Sequence, residues 1–164
     1  FEMILPEGFE YFSWYGRGPW ENYIDKKESA VVGIYYQTVS EQYEPYIFPQ
    51  ESGNKCDVRW AGLTDINGNG LLFIGNPTFE ISTLHYTAED LDQAKHHHEL
   101  VPREETIVKL NYRHCGLGSN SCGPEPLEKY RLKAEETELS FVIRPFSKSE
   151  ADEMTLSKIL PEVF

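Results

Sequence analysis

The sequence predicts an all-β fold, an antiparallel β-sandwich carrying one short helix. Three observations predict it. Short runs rich in Val, Ile, Thr, Tyr and Phe recur along the 164 residues, and such side chains suit a pleated, half-buried surface. Turns rich in glycine and asparagine separate these runs. Nothing alternates strand with long helix, which disfavours a parallel α/β sheet.

Taken in order, residues 9–15, 30–39, 58–66, 71–75, 79–87, 106–114, 130–135 and 138–145 read as strands. Asn67-Gly68-Asn69-Gly70 lies between two of them. Asn and Gly tolerate positive φ, so this stretch predicts a hairpin turn. Thr87 can cap a short helix over residues 88–95, with Asp90 three residues on. The glycines and small polar residues between Gly116 and Gly123 predict a loop. Residues 147–164 are charged, with a weak helical pattern around Met154, Ile159 and Leu160. They read either as a packed terminal helix or as a linker. The expected organisation is therefore one domain over residues 1–146 and a charged tail over 147–164.

Charge excludes partners more than it selects them. With 27 acidic and 15 basic side chains, the net charge is −12. Such a surface repels phosphate backbones and anionic membranes, whereas a neutral sugar is indifferent to it. No apolar run approaches bilayer length and no signal peptide is visible. The chain opens at Phe1 without a Met, so it reads as a fragment or processed product. The compartment stays open, bacterial cytoplasm and periplasm both being compatible. Cys56, Cys115 and Cys122 form no CxxC pair and read as reduced thiols, with a Cys115–Cys122 bridge as the alternative.

Residue chemistry alone points weakly. His96-His97-His98 invites a metal reading, but adjacent histidines on a helix point in different directions and converge poorly on one ion. We assign no metal site on the sequence. The acidic pairs Glu104-Glu105, Glu135-Glu136 and Glu150 with Asp152 read as solvated surface, since glycoside hydrolysis needs two carboxylates facing across a bond. Phe12, Trp14, Tyr15, Trp20 and Tyr23 could stack on sugar rings or pack a core. Trp20, surrounded by turn residues, is the one expected to be exposed.

Four collinear stretches resemble the C-terminal, small-chain region of glycoside hydrolase family 2 β-galactosidases. The first is Tyr15-Gly16-Arg17-Gly18-Pro19-Trp20-Glu21-Asn22-Tyr23 with Asp25. The second is Pro45-Tyr46-Ile47 with Pro49-Gln50-Glu51-Ser52-Gly53-Asn54 and Asp57-Val58-Arg59-Trp60. The third is His96 with Glu99-Leu100. The fourth is Gly116-Leu117-Gly118-Ser119, Cys122-Gly123-Pro124, Tyr130 and Arg144-Pro145. Asn111 and Ser52 stand where family members often have Asp and Asn.

The resemblance implies the C-terminal half of a galactose-mutarotase-like supersandwich. Its parent enzyme would be a retaining glycosidase acting on terminal β-galactosides. The two catalytic glutamates would lie on a separate barrel that this chain does not match, so the chain alone is expected to be inactive. It implies no cofactor in this chain, while the parent's catalytic domain would use Mg and Na. Expected partners are the parent's other domains, a β-galactoside sugar and a second copy through exposed sheet edges, with no nucleic acid and no membrane.

The family's glycine-rich loop reaches the barrel's active site. That makes Cys122, Asn120 and Ser121 candidate substrate contacts, joined by Trp20 as the aromatic expected to be exposed, and implies no catalytic residue here. Gly16 and Gly18 are expected to permit a bend. Arg17, Glu21, Asn22 and Arg59, joined by Glu51 and Asn54, are expected to form a buried polar network. His96 and Glu99 complete the structural motif. Two functions compete: a non-catalytic domain that completes a β-galactosidase site, and an autonomous galactose-binding module. An epimerase, suggested by the fold alone, would need an acid and a base in one groove.

Overall fold

A computed structural model describes residues 1–115 and 123–160. The described residues are all-β and antiparallel with two short α-helices, consistent with a sandwich-like domain. The strands are β1 (Glu2–Leu5), β2 (Tyr11–Gly18), β3 (Val31–Thr38), β4 (Lys55–Thr64), β5 (Asn69–Leu84), β6 (Thr106–Asn111) and β7 (Ser140–Ser147). They hydrogen-bond into one seven-stranded sheet of order β1-β6-β5-β4-β2-β3, with β7 also on β5. Among the described residues no helix is long and apolar enough to cross a membrane.

The long strand β5 organises the sheet. Residues 71–75 and 79–87, expected as two strands, belong largely to this one. Along one edge it pairs first with β7, from Asn69↔Ser147 to Asn76↔Ser140, and then with β6, from Glu80↔Asn111 to Leu84↔Ile107. Pro77 sits between the two ladders, where a residue without an N–H interrupts pairing least. The other edge of β5 carries β4, with register shifts between Lys55 and Val58 and between Val58 and Trp60.

Both faces of the sheet are buried at its centre. Phe12, Trp14, Ala61, Leu63, Phe73, Phe79, Ile81, Val108 and Leu110 pack on one face. The alternate positions Trp60, Leu72 and Ile74 join Phe146 and Leu156 on the other. This is the period-two alternation of strands, read on both sides. Leu156 comes from α2 (Glu153–Leu156), whose Asp152 cap accepts the Thr155 N–H. Within the tail, α2 thus returns to the sheet and packs Leu156 against it.

The expected turn chemistry is present. Gly68 takes φ +79°, and Asp65 Oδ1 accepts the Asn67 and Asn69 N–H groups, both at 2.9 Å. The helix α1 (Ala88–Gln93) carries the full capping box of Thr87 and Asp90. It ends at the Ala94 cap, so the histidines lie beyond it in a 3-10 turn over His97–Glu99.

Three expectations are corrected. Residues 130–135 form no strand: Glu128–Tyr130 is a 3-10 turn, and Arg131 reaches back to the Pro126 carbonyl. A strand needs a ladder partner, and β6 and β7 fill that edge of β5. The N-terminal β1 is an addition, paired with β6. Gly16 and Gly18 lie within an unbroken β2 rather than at a bend. Their constraint is space, since a Cβ on Gly16 would stand 2.7 Å from Val58 Cγ2 and 2.9 Å from Val58 Cα.

Candidate functional site

The motif residues gather where two loops fold over β4 and β5. One loop runs from β2 to β3, the other from β3 to β4. They share a backbone pairing, with Asn22 N–H donating to the Asn54 carbonyl at 2.8 Å. The expected single polar network is three neighbouring centres.

The first centre is Asp57. It accepts from Arg17 Nε at 2.5 Å and from Lys27 Nζ at 3.2 Å. Arg17 Nη1 also donates to the carbonyls of Lys27 and Ala30, at 2.9 and 2.8 Å. The forked guanidinium therefore fastens the loop between β2 and β3 to β4. Arg59 joins this centre through Nη1, which donates to the Asp57 carbonyl at 2.5 Å, while its guanidinium lies over the Tyr15 ring at 5.4 Å.

The second centre is Glu21, only 4 % exposed. It accepts from Lys26 Nζ at 2.8 Å, from the Gly53 N–H at 3.1 Å, and from the Tyr46 hydroxyl. Burial would raise its carboxyl, but these donors outweigh burial and hold it below the usual range. Burial, then the charge of Glu21, push the Tyr23 phenol up.

The third centre is buried, and of its members the sequence pointed to Asn22 and Asn54 but not to Glu80, Cys56 or His114. Asn22 Oδ1 accepts the Cys56 N–H at 2.7 Å, and Asn54 Nδ2 donates to the Asn22 carbonyl and to Glu80 Oε2, both at 2.9 Å. Glu80, 5 % exposed, also accepts from the Cys56 thiol at 3.2 Å and from the His114 N–H at 2.9 Å. Burial dominates the three donated bonds and raises the Glu80 carboxyl to about 7. Burial likewise pushes the Cys56 thiol up, so this cysteine is an inert structural thiol. Glu80 falls between Phe79 and Ile81 on an alternating strand, which reads as outward-facing. The two loops cover that outer face.

This centre grips the root of the glycine-rich segment. The His114 N–H goes to Glu80, and its carbonyl accepts the Ile24 N–H at 3.4 Å. Asn120, Ser121 and Cys122 follow, and lie outside the described residues, as does one partner of the Cys115–Cys122 bridge option. Glu51 borders the third centre: it pairs with Lys109, and His114 Nε2 lies 3.7 Å away. Ser52 Oγ accepts the Glu44 N–H at 3.3 Å. Trp20 is 70 % exposed, as expected, whereas Phe12 and Trp14 are core, their rings stacked at 4.8 Å. Lys55 is a further buried group, its Nζ 5.1 Å from the Trp14 ring centroid, and burial lowers its ammonium to about 8.

His96 and Glu99 lie away from these centres. His96 Nδ1 and Glu99 Oε1 are 3.0 Å apart, and the Lys95 N–H donates to Glu99 Oε2 at 2.8 Å. The His96 contact, then the Lys95 N–H, hold the Glu99 carboxyl down at about 2.

Comparison with known proteins places this arrangement. The family model described as beta galactosidase small chain matches residues 1–143. A beta-galactosidase of Priestia megaterium is 42 % identical over 118 residues, covering 72 % of this chain and 11 % of that protein. The beta-galactosidase of Staphylococcus xylosus is 33 % identical over 142 residues, 87 % of this chain and 14 % of its own length. That of Streptococcus thermophilus is 34 % identical over 149 residues, again 14 % of its length. The chain thus spans about an eighth of the curated relatives it matches. Extended similarity over these motifs, with their polar groups meeting in one folded region, assigns the chain to the beta-galactosidase small-chain family.

Proposed function

We propose that this chain is a non-catalytic region of a β-galactosidase, bracing the fold and completing the substrate site of a separate catalytic barrel. One observation carries the reading. The motif side chains Arg17, Glu21, Asn22, Asn54 and Arg59 are spent on internal contacts, and the centre built by Asn22, Asn54 and Glu80 holds His114 at the root of the segment bearing Asn120, Ser121 and Cys122. The buried carboxylates Glu21 and Glu80 are each surrounded by donors. Retaining hydrolysis requires two carboxyl groups facing each other about 5–5.5 Å apart across a sugar, and these two serve other partners.

The test has two parts. The chain alone, incubated with a chromogenic β-galactoside, is expected to release no more chromophore than buffer; hydrolysis by the purified chain would refute the non-catalytic role. In the full-length protein, Cys122→Ala is expected to raise KM or lower kcat, while a change at the exposed Ile66 does neither. Identical kinetics for both variants would remove the substrate-site role.

The exposure of Trp20 favours a second reading, an autonomous galactose-binding module, because an uncovered indole can stack on the apolar face of a pyranose. Amide NMR during titration with galactose and lactose separates the two. Shifts centred on Trp20 in the isolated chain support the module. A folded spectrum that does not move supports a scaffold whose loop acts beside the barrel.

A further inference from the structure

We propose that His96, His98 and Glu99 form a binding site for a divalent transition-metal ion of the zinc, nickel or copper type. Each residue offers one ligand atom, and the three atoms lie within 4.8 Å of one another. The objection from sequence was that successive histidines on a helix diverge. That objection assumes 3.6 residues per turn, and these residues are not α-helical. His96 caps a 3-10 turn formed by His97–Glu99. With three residues per turn, positions i and i+3 eclipse, which places His96 beneath Glu99. The extended backbone of His96, at φ −139° and ψ 148°, turns its ring alongside that of His98. The two rings stack with centroids 5.3 Å apart and planes 20° from parallel.

The ligand set selects the ion. Two imidazole nitrogens and one carboxylate oxygen suit zinc, nickel, cobalt or copper, whereas magnesium and calcium prefer all-oxygen sites. Metal–ligand bonds of about 2.0–2.2 Å in tetrahedral array put ligand atoms roughly 3.3–3.6 Å apart. The His96–Glu99 pair, at 3.0 Å, is close to that already. All three side chains are exposed, so a modest rotation of His98 completes the triad without repacking a core. The Lys95 N–H holds Glu99 Oε2 and leaves Oε1 facing the imidazoles. The net charge of −12 favours cation approach. Three protein ligands leave a fourth position for water or for a group on another molecule.

The structure supplies its own control. His97 is adjacent in sequence but lies outside the triad, its ring at 85° to that of His98. The experiment is calorimetric titration of the 164-residue chain with NiCl₂. The wild type and His97→Ala are expected to bind one equivalent alike. His96→Ala and His98→Ala are each expected to weaken binding by roughly tenfold or more, since even outer-shell changes at metal sites cost about 10–100-fold. Circular dichroism verifies that the variants keep their fold. A second measurement needs no variant: substoichiometric Cu²⁺ is expected to broaden the amide signals of residues 95–99 first. Undiminished affinity in the His96→Ala/His98→Ala double variant overturns the proposal. So does an absence of binding at millimolar Ni²⁺, or broadening that begins at His85, His114 or the cysteines.

Discussion

Glu80 contributes stability that is lost as pH rises from about 4.5 to about 7. Its carboxyl is raised from 4.5 to about 7 in the folded chain, because burial outweighs the bonds donated by Cys56, Asn54 and His114. Below pH 4.5 the group is protonated in both folded and unfolded chains and leaves stability untouched. Between 4.5 and 7 the unfolded chain ionises while the folded chain keeps its proton, so the stabilisation present at low pH is progressively lost. The loss runs at about 1.4 kcal/mol per pH unit and totals roughly 3 kcal/mol once pH exceeds 7.

Glu80→Gln removes the titration and keeps the shape. An amide oxygen at the Oε2 position still accepts from Asn54 and His114. Urea unfolding followed by tryptophan fluorescence, on both proteins from pH 4 to pH 8, is the assay. The variant's stability relative to wild type is expected to rise by roughly 3 kcal/mol across that range. The comparison cancels groups of opposite sign, such as Glu10 and Asp57, whose carboxyls are lowered in both proteins. A relative stability that stays flat with pH would refute the reasoning and mean that Glu80 is ionised at little cost in the fold.

Other perturbations test the architecture. Gly70→Ala would place a Cβ 1.8 Å from the Leu63 carbonyl oxygen, forcing β4 from β5; a loss of about 3 kcal/mol or more is expected by chemical denaturation. Leu156→Ala should cost about 2–5 kcal/mol, because Leu156 is buried against Trp60, Leu72, Ile74 and Phe146; a change within experimental error would mean that α2 does not dock on the sheet in solution. Trp20→Ala should shift stability by no more than about 0.5 kcal/mol, its side chain being largely in solvent, so that any change in sugar response reads as lost contact rather than lost fold.

Local chemistry made much of this protein legible in its sequence. Alternating β-branched and aromatic runs announced the antiparallel class. Asn67 to Gly70 and Thr87 with Asp90 announced a hairpin and a capped helix, because such motifs satisfy their own backbone groups within a few residues. The collinear family stretches survive as a sequence signal and were recognisable for that reason. Tertiary structure decided what depends on neighbours far along the chain. Residues 130–135 have a strand-like pattern but no ladder, while Glu2–Leu5, too short to read, gains one from β6. Glu80 sits at an outward position by alternation and becomes buried only because loops bearing Asn22 and Asn54 close over it. His96, His98 and Glu99 converge because the chain leaves α1 two residues early and tightens into a 3-10 turn. Pattern along the chain sets each residue's preferred local geometry; which faces are covered, and which side chains meet, follow from packing across sequence distance.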